Sequence, residues 1–535
     1  MKVFRSIFNN TLAPITPGPS SSNTCGPARI GLVSQYILGE IPKSVVVEYD
    51  VDGAFTTTLY GMKSDIGFIN GLLGKDQNAP DFTSAYENAK QAGMAVTFAQ
   101  VDDLKIGGLE TARLRMTSQK GDEMTVIGES LGGGAFRIHF VDDCPVTILG
   151  TSWELLLFTD KRSPNALQAE VEQLAGGLAH LNQVDCVTGE RYSLIDLKAA
   201  KPFPDSFLAN LKNHPDVLRF CVIPPIHPVV YDKTRTPPFE TAEGLVAYCE
   251  EHHCTPARAA VDYEIAVTGW SEAEVRNYGE ALIEIMEGSR EKGLQSQMQF
   301  DGIVTPKASM IRQGLRDGKL PSLGLLDDAV VSALGIMEHS NAAGKIVCVP
   351  TGGSSGIVPG LLLSTAEQMG LDHDQLFKGL MVSGIIGVLM MVDGNEFSGG
   401  AHGCQAEVGC GTAMAAAGLV QLLGGTAKQA CDAASMALQS LMGLICDPVA
   451  GLVQVPCLAR NMTGVAVAAV AAETVCTGFD VFLSLDEMSE AMVKTGTMIP
   501  NSLTTLCSGC CLTPTSCRVT AERADGKEHE EWKKS

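Results

Sequence analysis

The sequence predicts a multidomain α+β protein. It reads as an α+β domain over residues 1–150, a small ferredoxin-like unit over 151–228 and an all-α helical domain over 240–520. Three observations carry that reading. Residues 45–60 (VVVEYDVDGAFTTTLY), 95–101 and 124–141 are rich in Val, Thr and aromatics, and helical stretches at 61–74 and 82–94 lie between them. Residues 152–226 follow a β-α-β-β-α-β order, with SWELLLFTD, RYSLIDLKA and VLRFCVIPPI as the strands that stand out. From 241 onward the pattern is helical almost throughout, interrupted by one buried strand that meets a glycine loop, VCVPTGGSSGIVPG (347–360).

A chain of 535 residues, 45% of them hydrophobic, has room and apolar surface for all three units. A net charge of −22 argues against a nucleic-acid partner and against an anionic membrane surface. The opening MKVFRSIFNNTLAPITPGPSSS lacks the apolar core of a secretory signal, and the longest apolar stretch, 379–392, is too short to span a bilayer. Seventeen cysteines in such a chain point to a reducing, cytoplasmic setting and to metal or packing roles.

Taken in order, residues 14–30 (PITPGPSSSNTCGPARI) place three serines and a threonine before a helical pattern. That is either an anion site at a helix start or an N-cap with a polar lead-in. Gly132, Gly133 and Gly134 sit between two strands and either let backbone approach a ligand or form a hairpin bend. Residues 227–240 read as a linker, and a helix opens at Ser271. The loop PTGGSSG (350–356) suits a phosphate or carboxylate but lacks the Lys-Ser/Thr ending of a nucleotide loop. A pyridoxal phosphate site would need a Schiff-base lysine, and no lysine is singled out.

Residues 397–461 hold five cysteines among Ala-, Met- and Leu-rich helices. Cys404 follows Gly403, Cys446 precedes Asp447-Pro448 and Cys457 follows Pro456. Thiols beside helix breakers can reach a shared metal, whereas Cys410, among Gly and Ala, reads as packing. Spacing alone leaves a metal site and a set of inert buried thiols both open, since neither zinc-pair nor ferredoxin spacing is present.

The segments PGPSSSNTCGP, NAAGKIVCVPTGGSSGIVPG, GCQAEVG and GLICDPVAGLVQVPCLARN closely resemble the iron–sulfur L-serine dehydratases (L-serine ammonia-lyases). The resemblance covers most of the chain and is strongest over 325–470. It implies a [4Fe-4S] cluster held by Cys404, Cys446 and Cys457, with its fourth iron facing the substrate. It implies a substrate-carboxylate site at Ser20, Ser21, Ser22 and Thr24, with Asn23 in the same loop, and substrate-binding groups at Gly132, Gly133, Asn341, Thr351, Gly352 and Ser354. It further implies a single-chain β–α fusion, an ACT-like unit between the parts with a possible small-molecule effector, and a homodimer. Three positions depart from the family pattern. Asn23 stands where the family has His, Met62 aligns with a second His, and Gly400-Ala401-His402 replaces Gly-Ala-Glu. His402 and His339 are candidate proton-transfer groups by position only. The C-terminal CSGCCLTPTSC resembles the family's GGLAATPT ending with cysteines added, and no role is carried over to Cys507, Cys510, Cys511 or Cys517.

The expected activity is dehydration and deamination of a small β-hydroxy amino acid, L-serine to pyruvate and ammonia. Two alternatives stand beside it. One is the same architecture acting on L-cysteine or a hydroxy acid. The other is an inactive homologue that senses iron or a small molecule.

Overall fold

The computed structural model describes residues 4–160, 164–175, 178, 180–295, 297–392, 397–504 and 509–524. The first strand, β1 (Ile15–Pro17), finds no partner among its sequence neighbours. The next six strands build one sheet: β2 (Ser44–Asp50), β3 (Ala95–Val101), β4 (Thr111–Thr117), β5 (Glu123–Gly132), β6 (Ala135–Val141) and β7 (Cys144–Ile148). Their order is β3-β2-β4-β5-β6-β7, with β2–β3 parallel and the other pairs antiparallel. Alternation along β2 turns Val45, Val47 and Tyr49 inward, as a half-buried strand requires. The helices Gly26–Leu38 and Ser64–Leu72 pack tightly against each other: a Cβ on Gly71 would lie 2.1 Å from the Ala28 carbonyl oxygen.

Two features here differ from the sequence reading. Residues Phe55–Thr58 form a short helix, although FTTT is β-branched. Thr58 Oγ1 lies within hydrogen-bond reach of two acceptors, Ala54 O at 2.9 Å and Asn23 Oδ1 at 2.7 Å, so tertiary and local bonding overrides strand propensity. Strands β1, β4 and β7 went unread: β1 and β7 are short, and β4 alternates apolar with charged residues.

Four further strands, β8 (Trp153–Thr159), β9 (Leu181–Thr188), β10 (Ser193–Ala199) and β11 (Val217–Ile223), form an antiparallel sheet in the order β11-β8-β10-β9. With the helices Pro164–Ala175 and Asp205–Lys212 this is the β-α-β-β-α-β arrangement. The strand that sequence left indistinct is β9, LNQVDCVT, a polar edge strand. Leu155, Leu157, Ile195 and Leu197 face the two helices, while Leu156, Phe158 and Leu194 join the core of the six-stranded sheet.

The rest is helical. Its centre is the helix Cys410–Leu422, buried at every position except Gln421, and the helices Ile357–Met369, His373–Leu389, Ala427–Gln439 and Cys457–Cys476 surround it. Small residues permit the close packing: a Cβ on Gly418 would lie 2.2 Å from Ser383 Oγ. Residues 6–12 belong to this helical core rather than to the sheet that follows them in sequence. Glu264 accepts hydrogen bonds from the Ser6 hydroxyl and from Ile7 N (2.8 Å), Phe8 lies 4.7 Å from the Tyr278 ring, and Ile7, Phe8 and Leu12 are fully buried. Among the described residues, no helix is long and apolar enough to cross a membrane.

Candidate active site

The sheet domain meets the helical domain through β1. Its partner is the last strand, β12 (Lys345–Val347), paired antiparallel with Ile15 opposite Val347 and Pro17 opposite Lys345. The pairing continues as Cys348 N donating to Pro14 O and Gly18 N to Gly344 O, both at 3.0 Å. The strand pair lays the serine loop (residues 19–24) alongside the glycine loop (residues 350–356). Gly352 N donates to Ser21 Oγ at 3.1 Å, and a Cβ on Gly352 would lie 2.8 Å from Ser21 N and 2.9 Å from Pro19 O. Only glycine allows that approach.

The serine loop is a π-helical turn, Ser21–Cys25, that runs directly into the helix Gly26–Leu38. Ser20 caps it by accepting from Asn23 N at 3.0 Å. Thr24 Oγ1 accepts from Ser20 N (3.2 Å) and donates to Met62 O (2.7 Å), so Ser20 and Thr24 hold the loop's shape. Met62 approaches through its carbonyl, and its side chain lies in an apolar cluster with Val453 and Leu458. Asn23 has both amide ends engaged. Its Oδ1 accepts from Thr58 and its Nδ2 donates to Glu110 Oε1 at 2.7 Å.

Glu110 was not among the residues sequence singled out. It precedes β4 in a polar run, GGLET, and only the strand pairing brings it to the loop: Ser130 N donates to Glu110 O, while the Ser130 hydroxyl donates to Ser22 O at 2.8 Å. Glu110 is buried, and burial pushes its pKa up to about 7, held back by the Asn23 amide and raised further by the charge of Glu407. Glu407 is the second carboxyl that sequence reasoning passed over, although it is the lone acid in GCQAEVG. It lies in another π-helical turn, Gln405–Gly409; burial again raises its pKa to about 7, opposed by a hydrogen bond from Thr351. Two π-helical turns at one site are notable because such turns concentrate at functional positions.

Glu407 links the loops to the thiols. Cys404, the residue before its turn, has Sγ 4.0 Å from Glu407 Oε2. Cys446 and Cys457 adjoin it. A hydrogen bond with Cys404, then burial, holds the Cys446 thiol well above the ordinary thiol range, and burial followed by the charge of Cys404 does the same for Cys457. Arg460, one turn into the helix that Cys457 opens, donates to Ile445 O and pairs with Asp447, both at 2.8 Å. Asp447 also accepts from Cys510 N at 2.8 Å, so the segment around Cys510 docks beside Cys446. Cys507 and the side chain of Cys511 lie outside the described residues, and Cys517 is exposed. Cys410 is fully buried against Met492, as packing requires.

Several expected site residues take other places. Gly132 and Gly133 have φ of 97° and 55° and form the β5–β6 hairpin bend, which abuts Pro14. Asn341 donates to Met337 O and Val453 O, both at 2.9 Å, and so pins the segment leading to Cys457. Thr351 reaches Glu407, but Ser354 spends its hydroxyl on Val349 O at 3.0 Å. His402 packs against Gly496 of the helix Leu485–Met498, and His339 lies under Gly344, where burial lowers its pKa to about 4.

The serine dehydratase alpha chain family model matches residues 166–510. A probable L-serine dehydratase alpha chain of Bacillus subtilis is 34% identical over 265 residues, covering 50% of this chain and 88% of that protein. The L-serine dehydratase alpha chain of Peptoniphilus asaccharolyticus is 35% identical, over 49% of this chain and 90% of its own length. L-serine dehydratase 2 of Escherichia coli is 26% identical over 493 residues, 90% of this chain and 92% of that protein. With its serine loop set by the β1–β12 pair against the glycine loop of the helical core that carries the thiols, the chain belongs to the serine dehydratase alpha chain family.

Proposed function

We propose that the chain is an L-serine ammonia-lyase, converting L-serine to pyruvate and ammonia, with a [4Fe-4S] cluster held by Cys404, Cys446 and Cys457. The observation that carries the proposal is the lock between the two loops, Gly352 N on Ser21 Oγ, continued through Thr351 and Glu407 to Cys404. It sets a hydroxyl-rich anion site against three thiols drawn from separate segments.

The donor set fits the cluster. Three neighbouring thiols, each near the start of a turn or helix, become thiolates only beside a cationic group, and soft thiolates are what iron–sulfur clusters take. Among the described residues, no three His, Cys, Asp or Glu side chains meet around a single-ion position, so the fit rests on the chemistry of the three thiols. When bound, the cluster supplies a Lewis-acidic iron for the substrate hydroxyl.

The chain's own groups do the rest. The Ser21 and Ser22 hydroxyls bind the substrate carboxylate. Glu110, poised near neutrality beside that loop, takes the α-proton. Thr351 orients Glu407 on the thiol side, where it excludes water and steers the leaving hydroxyl. Hydroxide loss yields an enamine, which leaves and hydrolyses to the keto acid and ammonia with no net redox change. The β-α-β-β-α-β unit is an ACT-like regulatory unit in this reading, on its strand order alone.

The test is anaerobic reconstitution with ammonia and keto-acid readouts. Cys446→Ser is expected to abolish both turnover and the brown visible absorbance, and Cys410→Ser to leave both largely intact. Full cluster occupancy in Cys446→Ser refutes the ligand assignment. The engaged amide of Asn23, in place of a family histidine, favours a second reading in which the same reaction acts on L-cysteine or a hydroxy acid. The same assay run on those compounds separates the two.

A further inference from the structure

A cavity of about 490 Å³ lies between β7 and the face of the β8–β10–β9 sheet that its helices leave uncovered. None of its lining residues belongs to the loops or thiols described above. Its floor is charged. Lys198 donates to Thr147 O at 2.8 Å, Glu154 Oε2 at 2.7 Å and Asp196 Oδ2 at 2.7 Å, which uses all three of its N–H groups. Asp196 stands directly opposite Asp185 across the β9–β10 pair, a like-charge juxtaposition that costs stability. Among the described residues, Asp185 accepts only from Gln183. Three carboxyls therefore share one ammonium. Asp196 is 2% exposed, and its Oδ1 receives no hydrogen bond from an N–H or hydroxyl among the described residues.

We infer that this cavity binds a small organic cation, an alkylammonium compound whose nitrogen sits among Glu154, Asp185 and Asp196. The arrangement specifies the class. A buried carboxylate oxygen that only a proton shared with Glu154 can serve, and an acidic surplus, call for a cation. The volume falls in the range of small-molecule sites and far exceeds a single ion, and Val146, Leu149 and Leu194 on the walls suit a short hydrocarbon chain. With its N–H groups already spent, Lys198 offers nothing to a substrate-like carboxylate, so a free amino acid fits poorly. Because Thr147 and Val146 belong to β7, an occupant also ties the ferredoxin-like unit to the six-stranded sheet.

In the empty cavity the charge is balanced by a proton. Glu154 and Asp196 are hydrogen-bonding neighbours, and burial with the Asp196 charge raises the Glu154 pKa to about 8. The titratable groups around it are Asp196 and Lys198 on β10, Asp185 and Cys186 on β9, Cys221 on β11 and Tyr231 on the linker. A bound ammonium takes that proton's place, so binding at pH 7 releases a proton.

Calorimetry on the full chain tests this with putrescine as the probe, alongside 1,4-butanediol, L-serine and KCl. Saturable one-site putrescine binding is expected, with proton release seen as heats that depend on the buffer's ionisation enthalpy. Asp196→Asn is expected to weaken it at least tenfold. Asp185→Asn, at a half-exposed position that folding tolerates, serves as the second variant and is expected to weaken it severalfold. Absence of saturable binding, equal affinity in both variants, or binding of butanediol or L-serine as tight as putrescine overturns the assignment. Competition by KCl at equal concentration gives the site to an inorganic cation and overturns it as well.

Discussion

Asn23 occupies the position where family members carry histidine, yet its amide leaves no vacancy for an imidazole. Thr58 donates to one end and Glu110 accepts from the other, and the residue is 3% exposed. A ring cannot present its two nitrogens with the spacing of one planar amide. Asn23→His is therefore expected to lower kcat/KM for L-serine, L-threonine and L-cysteine alike, by ~10-fold or more, because it dislodges Glu110. A rise for L-serine alone would mean that the site is a weakened version of the family's own. Glu110 gives a sharper test. Below pH about 7 it is neutral, and above it the carboxylate can accept a proton, so kcat/KM rises as pH passes through about 7. Glu110→Gln should cut turnover ~10²–10⁴-fold, remove that rise and leave iron content unchanged. Glu264 shows the same burial effect without catalysis. Its pKa is raised from 4.5 to about 7, so the folded chain holds a proton that the unfolded chain releases. The resulting stability is full below pH 4.5 and is lost as pH climbs through about 7, on the order of 3 kcal/mol. Glu264→Gln, which resembles the protonated form, should flatten that part of the urea midpoint's pH profile.

At the scale of elements, what sequence could reveal depended on whether an element marks itself locally. The Cys404, Cys446 and Cys457 segments announced themselves through glycine and proline neighbours, and the serine and glycine loops through composition. Strand β1 did not, since ITP has neither length nor alternation, and its partner lies more than three hundred residues away. Glu110 was invisible for the same reason: its importance comes from the β4–β5 pairing and not from its neighbours in GGLET. The ferredoxin-like unit was legible by order, and its least legible strand, β9, is a polar edge. The loop contact itself can be tested. A Cβ at Gly352 meets the serine-loop backbone, which cannot give way as a flexible side chain would. Gly352→Ala should cost ~1–3 kcal/mol in urea denaturation, raise KM and leave iron binding by the thiols intact.

Across the whole molecule, the helical domain borrows its core from residues that precede the sheet domain. Ile7, Phe8 and Leu12 are buried in it, and Phe8 contacts the rings of Trp270 and Tyr278. Phe8→Ala should destabilise the helical domain by ~3–5 kcal/mol, a loss read by circular dichroism during unfolding. The sheet domain, whose core contains none of these residues, should unfold near its original midpoint.

The same borrowing sets a timetable for the newborn protein. Ser6 and Ile7 reach their partner Glu264 only across 258 and 257 positions of chain. At roughly 5–20 residues per second, a ribosome needs on the order of 13–50 s to supply that partner. During that interval the sheet domain has all its strands and can close, while three large apolar side chains just upstream of it remain in water. A cell making this protein must therefore shelter this segment until Glu264 emerges, and a chaperone that captures short apolar stretches on nascent chains should be found there.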